Sequence, residues 1–319
     1  MRNYNRGHVE QALSIQLAIE LSQVAFALQS QGKVVQSVRS IIPAPDGRLM
    51  GTMPAYISEG KYSGFGLKSV LVDFNPHQGA ASHEGCILLF DEQANGEMVT
   101  VDAGSITELR TAAASAWATH LLAPPQATRL AILGTGLQAR KHLLTMLAVR
   151  PIEQVTIWGR NPTNVDQFAT WCAEHPALNN ITITIAETPA EAVSDADIIC
   201  TVTAARAPLL HLGDLPQSCH INAVGASAIG FQELDPAIYG AVEHYVDSQE
   251  SCWNASQCLQ QAKEKGYLPS EHLSREIGEL GTHIPENRPK RTLFKSVGLA
   301  VQDLVFAREV LHQNQSNPT

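Results

Sequence analysis

The chain lacks the features that would tie it to a metal ion, a disulfide framework, a membrane or a nucleic acid. Its six cysteines form no Cys-x-x-Cys pair and have no histidine at the spacing of a structural zinc site. No run approaches the roughly 18 apolar residues that span a bilayer, and the polar N-terminus does not read as a signal peptide. Acidic residues outnumber basic ones by 31 to 22, which argues against nucleic acid or anionic lipid as a partner. We expect a cytoplasmic protein with reduced thiols and no metal.

The apolar content suffices for a large core, since 44% of the 319 residues are hydrophobic, and the length suggests about two domains. Apolar side chains at helical spacing predict a helix over residues 8–31. A capping-box spacing, Ser105-Ile106-Thr107-Glu108, predicts a second helix that runs to Leu122. Between them the sequence predicts strands, with a hairpin turn at Gln93-Ala94-Asn95-Gly96; the strands are Val34–Ile42, Leu49–Ile57, Gly66–Phe74, Cys86–Phe90 and Met98–Asp102.

From Arg129 onward, strand and helix patterns alternate, which is typical of a parallel sheet covered by helices on both faces. The final stretch, from Thr292 to about His312, is predicted to be helical. The fold class is therefore α/β, with a Rossmann doubly wound part and an α+β part. The predicted parallel strands are Leu130–Leu133, Val155–Trp158, Ile181–Ala186, Ile198–Thr203, His220–Val224 and His244–Val246.

The strand Leu130–Leu133 runs directly into Gly134-Thr135-Gly136-Leu137-Gln138-Ala139, a Gly-x-Gly-x-x-Ala turn that opens a helix. Glycine has no Cβ, so such a turn lets the backbone approach a pyrophosphate, and the helix N-terminus aims N–H groups at it. An ordinary tight turn is the alternative. The context favours a dinucleotide held by Gly134, Gly136, Leu137 and Gln138.

The end of the next strand indicates which dinucleotide. Trp158 is followed by Gly159-Arg160-Asn161, where an acidic residue would bind the ribose 2′-hydroxyl of NAD, and none is present. Arg160 suits a phosphate, and Asn161-Pro162 starts another helix beside Thr163. The sequence thus predicts NADP(H), with NAD(H) as the second choice. The alternative is that Arg160 is only a solvated loop charge.

Two basic residues stand on apolar surfaces. Lys68 shares a strand face with Val70 and Val72, where an ammonium is costly unless it is paired or used. Arg110 shares a helix face with Ala113 and Trp117 near the expected helix start, which suits an anion site. The alternatives are an edge-strand lysine that reaches water and an arginine that pairs with Glu108 or another surface acid. Further candidates are Arg39 and two strand ends, Thr203 and Val224 to Ser227.

Taken together, the motifs resemble the ornithine cyclodeaminase/mu-crystallin family. The match runs in order along nearly the whole chain and rests on seven segments: Met53 to Tyr56, Gly66 to Lys68, Ile106 to Ala113, Gly134 to Ala139, Ile221 to Ala226, Glu233 to Asp235 and Leu293 to Gly298. The resemblance implies a Rossmann NAD(P)-binding domain over residues 123–298. It also implies a substrate-binding and dimerisation domain over residues 1–122 and 299–319, and a homodimer.

Two departures separate this chain from the cyclodeaminases of that family. They and the related alanine dehydrogenases are similar in having an acid where this chain has Ser227, and cyclodeaminases also have a glutamate where it has Gly51. A ring-closing lyase needs a base and an anchor for a distal ammonium, and both carboxylates are missing. Ketimine reductases of the mu-crystallin type resemble this chain at both the Gly-Ala-Ser segment and the strand-end arginine.

The resemblance therefore implies an NAD(P)H-dependent reductase of cyclic ketimine carboxylates, which converts Δ1-pyrroline-2-carboxylate to proline and Δ1-piperideine-2-carboxylate to pipecolate. Alternatives are an ornithine cyclodeaminase, an alanine-type dehydrogenase and a non-catalytic dinucleotide-loaded binding protein. The implied catalytic and substrate residues are Lys68, Arg110, Arg39 and Ser227. The implied cofactor residues are Arg110, Thr111, Gly134, Gly136, Leu137, Gln138, Arg160, Asn161, Thr163, Thr203, Val224, Ser227, Lys295 and Ser296.

Overall fold

The computed structural model describes residues 1–73, 83–91, 96–268, 274–284 and 289–316. The chain divides into two compact units, the first formed by residues 1–110 and 298–319 and the second by residues 111–297. The division falls inside one helix, after Arg110, whereas the family resemblance implied a boundary after Leu122, the last residue of that helix. The α/β class with a Rossmann part and an α+β part is confirmed.

The strands and helices have the following bounds. The strands are β1 Arg2–Tyr4, β2 Val34–Gln36, β3 Ser40–Pro43, β4 Leu49–Ile57, β5 Gly64–Val72, β6 His83–Asp91, β7 Glu97–Asp102, β8 Arg129–Leu133, β9 Gln154–Trp158, β10 Thr182–Ile185, β11 Ile198–Thr201, β12 Cys219–Ala223, β13 Glu243–Val246, β14 Arg275–Glu276 and β15 Arg291–Lys295. The helices are α1 Arg6–Ala12, α2 Ile15–Ser30, α3 Ala103–Leu122, α4 Leu137–Val149, α5 Pro162–Glu174, α6 Pro189–Val193, α7 Gln249–Ala255, α8 Gln257–Glu264 and α9 Ala300–Ser316.

The first unit is built on a seven-stranded sheet in the order β1-β7-β6-β5-β4-β2, and β3 also pairs with β4. All pairs are antiparallel except β1 with β7. Every second residue of β4 and β5 is buried, because successive side chains point to opposite faces of a strand. Helix α9 packs on β4, β5 and β6 and is itself covered by α1 and α2, so it is buried on nearly all sides from Ala300 to Leu311.

The second unit is an eight-stranded, all-parallel sheet in the order β10-β9-β8-β11-β12-β15-β13-β14. The chain leaves β8 on one side through β9 and β10, then crosses back to place β11 on the other side of β8. The strand order therefore reverses beside β8. In open α/β sheets ligands bind outside the carboxyl ends of strands at such a reversal, and this is where the Gly134 turn lies.

Four local predictions were wrong. The helix over 8–31 is two helices, because Ser14 caps α2 by accepting a hydrogen bond from Leu17 N. The strand Val34–Ile42 is split into β2 and β3. Helix α3 begins at Ala103 rather than Ser105, and the Asp102 carboxylate accepts the Ser105 N–H at 2.7 Å. Residues 291–295 form strand β15 rather than the start of a helix.

Parts of other predictions lie outside the described residues, namely Phe74 and most of the Gln93–Gly96 turn, although the strands that flank this turn pair as expected. Among the helices that the structure describes, none alone has the length and apolar composition of a membrane span; α1 and α2 reach it only together, with a bend of 89° between them. All six cysteines are free thiols, and only Cys86 is exposed.

Candidate active site

Lys68 lies on the buried face of β5 and is 2% exposed. Its ammonium donates to Thr107 Oγ1 at 2.5 Å and to Asp303 Oδ1 at 3.1 Å. The Thr107 hydroxyl donates in turn to the Ala103 carbonyl, so it is available to Lys68 only as an acceptor. These contacts use two of the three ammonium N–H groups. The structure thus excludes an edge-strand lysine that reaches water, and it leaves one donor for a ligand.

Arg110 shares the same carboxylate, since its Nε donates to Asp303 Oδ1 at 3.2 Å. Arg110 is 5% exposed, and in the part of the chain that the structure describes its Nη1 and Nη2 atoms form no hydrogen bond. It does not pair with Glu108, whose carboxylate accepts hydrogen bonds from both terminal nitrogens of Arg6. Because α3 begins at Ala103, Arg110 lies beyond the first helical turn and farther from the helix start than the sequence predicted.

Arg39 lies between β2 and β3 and is half-buried. A Cβ on Gly51 would stand 3.8 Å from Arg39 Cδ and 3.5 Å from Val70 Cγ1, so the arginine stem runs over the glycine on the buried face of the sheet. Gly51 therefore provides the surface on which Arg39 rests. A glutamate at this position would require a different course for the arginine stem.

The charges in this cluster shift the pKa of Lys68. Burial lowers it to about 8, and Arg110 and Arg39 act in the same direction, whereas the Asp303 carboxylate opposes them. Lys68 and Arg110 thus share a single buried carboxylate, and the charge of Arg39 acts on Lys68. The excess of positive charge, together with the open end of the Arg110 guanidinium, suits an anionic ligand such as a carboxylate.

In the second unit, the Gly134 turn has the geometry that a pyrophosphate needs. Gly134 has φ +125°, and a Cβ there would lie 2.8 Å from the Val202 carbonyl oxygen, so only glycine fits. Gly136 is the N-cap of α4, and a Cβ on it would meet nothing within 4 Å. The first N–H groups of α4, including those of Leu137 and Gln138, start beside open space, which fits a dinucleotide phosphate.

The end of β9 has the predicted local structure. Asn161 is the N-cap of α5, its side chain accepts from Thr163 N at 3.0 Å, and Pro162 follows at the first helical position. Arg160 is exposed, and within the described residues it has no hydrogen bond or ion pair. Residues 159–163, which follow β9 directly, include no acidic residue. The arrangement leaves an arginine and a helix N-terminus available to a phosphate.

Glu233 holds two strand ends together and is a site residue that sequence reasoning missed. Its buried carboxylate accepts from Thr201 Oγ1 and Thr203 Oγ1, both at 2.8 Å, and from the backbone N–H groups of Thr203 and Ala226. This fixes the segment from Val224 to Ser227 against the end of β11. Ser227 itself is half-buried, and its hydroxyl has no hydrogen bond among the described residues.

The end of β15 is tied down in a similar way. Lys295 is buried and donates to the Ala226 carbonyl at 2.6 Å. Ser296 donates to Asp247 Oδ2 at 2.9 Å, and the same oxygen accepts from Val297 N. Asp247 is thus another structural partner that the sequence did not indicate. The cofactor roles of Lys295, Ser296, Thr111, Val224 and Ser227 remain predictions.

Comparison with known proteins places this geometry in a family. The profile of the ornithine cyclodeaminase/mu-crystallin family matches residues 4–317. A ketimine reductase mu-crystallin of Macropus fuliginosus is 36% identical over 298 residues, which cover 92% of this chain and 90% of that protein. The structure of the Thermococcus litoralis Δ1-pyrroline-2-carboxylate reductase in complex with NADH and L-proline superposes with a TM-score of 0.91 at 30% identity, covering 99% of this chain and 98% of the other.

An archaeal alanine dehydrogenase dimer with bound NAD superposes with a TM-score of 0.89 at 26% identity, covering 100% and 97% of the two chains. These matches extend over almost the full length of each protein and include both units. The chain therefore belongs to the ornithine cyclodeaminase/mu-crystallin family, as its motifs predicted.

Proposed function

We propose that this protein reduces the C=N bond of cyclic ketimine carboxylates with NAD(P)H, forming L-proline from Δ1-pyrroline-2-carboxylate and pipecolate from Δ1-piperideine-2-carboxylate. The observation that carries the proposal is the buried Lys68, Arg110 and Asp303 cluster, in which the end of the guanidinium and one ammonium N–H lack a partner among the described residues. The reductase names of the relatives agree with the activity expected from the sequence.

The substrate residues have separate roles in this proposal. Nη1 and Nη2 of Arg110 bind the substrate carboxylate as a bidentate fork, and Arg39 adds a second positive charge. The ammonium of Lys68 donates a hydrogen bond to the imine nitrogen and passes it a proton as the hydride adds to the adjacent carbon, so that the product is a secondary amine and Lys68 is left as a neutral amine. Since the pKa of Lys68 is about 8, most of it is protonated at neutral pH. No covalent lysine adduct is required, because the substrate is already an imine.

The residues around the Gly134 turn fit a nicotinamide dinucleotide, which when bound supplies a hydride for the imine carbon. Gly134, Gly136, Leu137 and Gln138 would hold the pyrophosphate at the start of α4. Arg160, Asn161 and Thr163 would hold a 2′-phosphate at the start of α5, which favours NADPH over NADH. Thr111, Thr203, Val224, Ser227, Lys295 and Ser296 would line the remainder of the cofactor.

An ornithine cyclodeaminase or an alanine-type dehydrogenase is the second candidate, because the dehydrogenase dimer shares the fold. Ser227 argues against both reactions, because both kinds of enzyme have an acid there, and Gly51 argues further against the cyclodeaminase, which has a glutamate at that position. A non-catalytic dinucleotide-binding protein would have no use for a lysine buried at such cost beside an open arginine.

The deciding experiment measures oxidation of NADPH and of NADH by near-UV absorbance with Δ1-pyrroline-2-carboxylate, alongside ammonia release from L-ornithine. Imine-dependent oxidation with proline as product and no ammonia from ornithine supports the proposal. Ammonia and proline formed from ornithine would show a cyclodeaminase instead.

We further propose that a second copy of the chain covers the outer face of the first sheet. Val35 pairs with Tyr56, Tyr56 with Phe65, and Phe90 with Met98, which places apolar side chains in rows across neighbouring strands. Phe65 is 50% exposed and stacks on Tyr56 with ring centroids 4.3 Å apart. Such a large exposed apolar face is typical of an interface, and a homodimer explains it.

A further inference from the structure

We propose that Asp303 is the positioning residue of the substrate site, whose carboxylate holds the ammonium of Lys68 and the guanidinium of Arg110 side by side. The inference deepens the proposed function, on which it rests. Asp303 was not among the residues that the sequence indicated, and it lies 235 residues beyond Lys68 in the chain.

The geometry shows one oxygen serving both cations. Asp303 Oδ1 accepts from Lys68 Nζ at 3.1 Å and from Arg110 Nε at 3.2 Å. The carboxylate is completely buried, so neither contact is exchanged with water. Because Arg110 is held through Nε, its Nη1 and Nη2 atoms stay free to point at a ligand. Had the carboxylate bound those two atoms instead, it would have taken the place of a substrate carboxylate.

The position of Asp303 in α9 explains how a carboxylate can be kept there. It lies in the first turn of α9, where the helix dipole favours a negative charge. The helix start is fixed by Gln36, whose Oε1 accepts the Val301 N–H, and by Gln302, whose Oε1 accepts the Leu299 N–H. Asp303 Oδ2 has no hydrogen-bond partner among the described residues. Burying this carboxylate with one oxygen unpaired costs free energy, and the ion pairs with Lys68 and Arg110 offset that cost.

Two positive groups contact this carboxylate, Lys68 from β5 and Arg110 from α3, and the charge of Arg39, from the segment before β3, acts on Lys68 as well. The uncharged Thr107 hydroxyl completes the surroundings of the ammonium. Without the Asp303 charge, Lys68 would lose the interaction that favours its protonated form, while burial and the charges of Arg110 and Arg39 would still oppose that form. A lysine that must donate to the imine would then be neutral over more of the neutral pH range.

The same helix supplies a matched control. Glu309 is also a buried carboxylate of α9, and it accepts from Lys61 at 2.6 Å and from Tyr62 at 2.8 Å, but it contacts neither Lys68 nor Arg110. Glu309→Gln therefore removes a buried, lysine-paired carboxylate of the first unit without touching the substrate residues. Its effects measure what such a loss does to the fold alone.

The test compares the wild type, Asp303→Asn, Asp303→Glu and Glu309→Gln as full-length chains. Steady-state kinetics with Δ1-pyrroline-2-carboxylate give kcat and KM against pH, and fluorescence titration gives the Kd for NADH. Independently of turnover, the Cε signal of Lys68 is titrated by NMR in protein labelled with [ε-¹³C]lysine and assigned with Lys68→Met.

We expect Asp303→Asn to lower kcat about 100-fold and to move the alkaline limb of the rate profile to lower pH, with the Kd for NADH within about twofold of wild type. The Lys68 signal should titrate at lower pH in Asp303→Asn and at the wild-type pH in Glu309→Gln. Asp303→Glu should recover part of the rate that Asp303→Asn loses. An unchanged Lys68 titration in Asp303→Asn would overturn the positioning role, whether or not the imine is reduced. A wild type that titrates as expected but does not reduce the imine would overturn only the proposed function.

Discussion

The backbone of Gly298 packs against the guanidinium of Arg110 so closely that a residue with a Cβ at position 298 would clash with the arginine. Gly298 has φ +84°, and a Cβ on it would lie 2.5 Å from Nη1 and 2.8 Å from Nη2, the two atoms proposed to bind the substrate carboxylate. Gly60 has nearly the same φ, +83°, but a Cβ there would meet nothing within 4 Å. This pair of glycines separates backbone strain from displacement of the arginine.

Gly298→Ala should therefore raise the KM for Δ1-pyrroline-2-carboxylate about tenfold, because the methyl group displaces the Arg110 fork. Gly60→Ala should leave KM unchanged, and both variants should lose about 1 kcal/mol in free energy of unfolding from the left-handed backbone. Kinetics and urea unfolding measure the two quantities. Equal KM values in the two variants would show that Arg110 does not bind the substrate through those atoms.

Lys68→Met should abolish most turnover while leaving the dinucleotide site intact. We expect kcat to fall by about 100-fold or more, with the Kd for NADPH within about twofold of wild type. Lys61→Met is the control, since Lys61 is another lysine of the first unit paired with a carboxylate of α9. If NADPH affinity fell as far as turnover, the assignment of Lys68 to the substrate would be wrong.

Arg160→Ala should weaken the binding of NADPH and leave the binding of NADH nearly unchanged, because only NADPH carries the 2′-phosphate that the guanidinium is proposed to bind. We expect the KM for NADPH to rise about tenfold and that for NADH to change less than about twofold. Lys141→Ala removes an equal charge from α4 and should change neither. Equal losses with both cofactors in Arg160→Ala would exclude a contact with the 2′-phosphate.

Stability should fall in mild acid because two buried histidines resist protonation. Burial lowers the pKa of His142 to about 4 and that of His220 to about 3, both from 6.5. Their folded-state pKa values lie below the unfolded one, so the unfolded chain binds more protons over this range. Each should therefore cost about 2 to 3 kcal/mol of unfolding free energy as the pH falls from about 6.5 to 4.5.

Denaturant unfolding of the wild type and His142→Leu across this range checks the prediction. His142 donates from Nδ1 to the Gln138 carbonyl and accepts from the Ser115 hydroxyl at Nε2, so the variant should be less stable at neutral pH but less sensitive to acid. His283→Leu, at an exposed position, should keep the wild-type slope. Parallel slopes for His142→Leu and wild type would contradict the expected linkage.

Phe65→Asp should convert the proposed dimer to a monomer by placing a charge in the middle of the apolar outer face. Ile185→Asp changes an isoleucine of similar exposure, 47%, on β10 of the second unit and should leave the mass unchanged. Light scattering coupled to gel filtration gives the mass of each variant. If the Phe65→Asp protein kept the wild-type mass, the interface between copies would have to lie on another surface.

The elements that the sequence predicted well are those whose periodicity reflects local burial. Strand β4 was predicted with its observed bounds because buried and exposed residues alternate along it without interruption. Strand β15 was missed because Arg291–Lys295 is short and nearly fully buried, so no alternation marks it. Its pairing with β12 and β13 comes from distant parts of the chain.

The candidate site was predictable in its cations and not in its anions. Lys68 and Arg110 stand out because a charge interrupts an apolar face. Glu233 lay in a segment that carried the family resemblance but was given no role, and Asp303 lay in a segment predicted only as helix. Asp303 did leave a signal, since it is an acid inside the apolar stretch from Leu299 to Phe306. Identifying its partners required the fold, because both lie about 200 residues or more away.

The discontinuous first unit has a consequence for how the protein is made. A ribosome that has completed residues 1–297 has synthesised Lys68 and Arg110 and the whole parallel sheet, but not α9. Until α9 emerges, the buried face of the first sheet lacks its cover and the two cations lack their counter-ion. A chain without α9 has every strand of the second unit but lacks both Asp303 and the cover of the first sheet, so we expect it to lack the proposed substrate site.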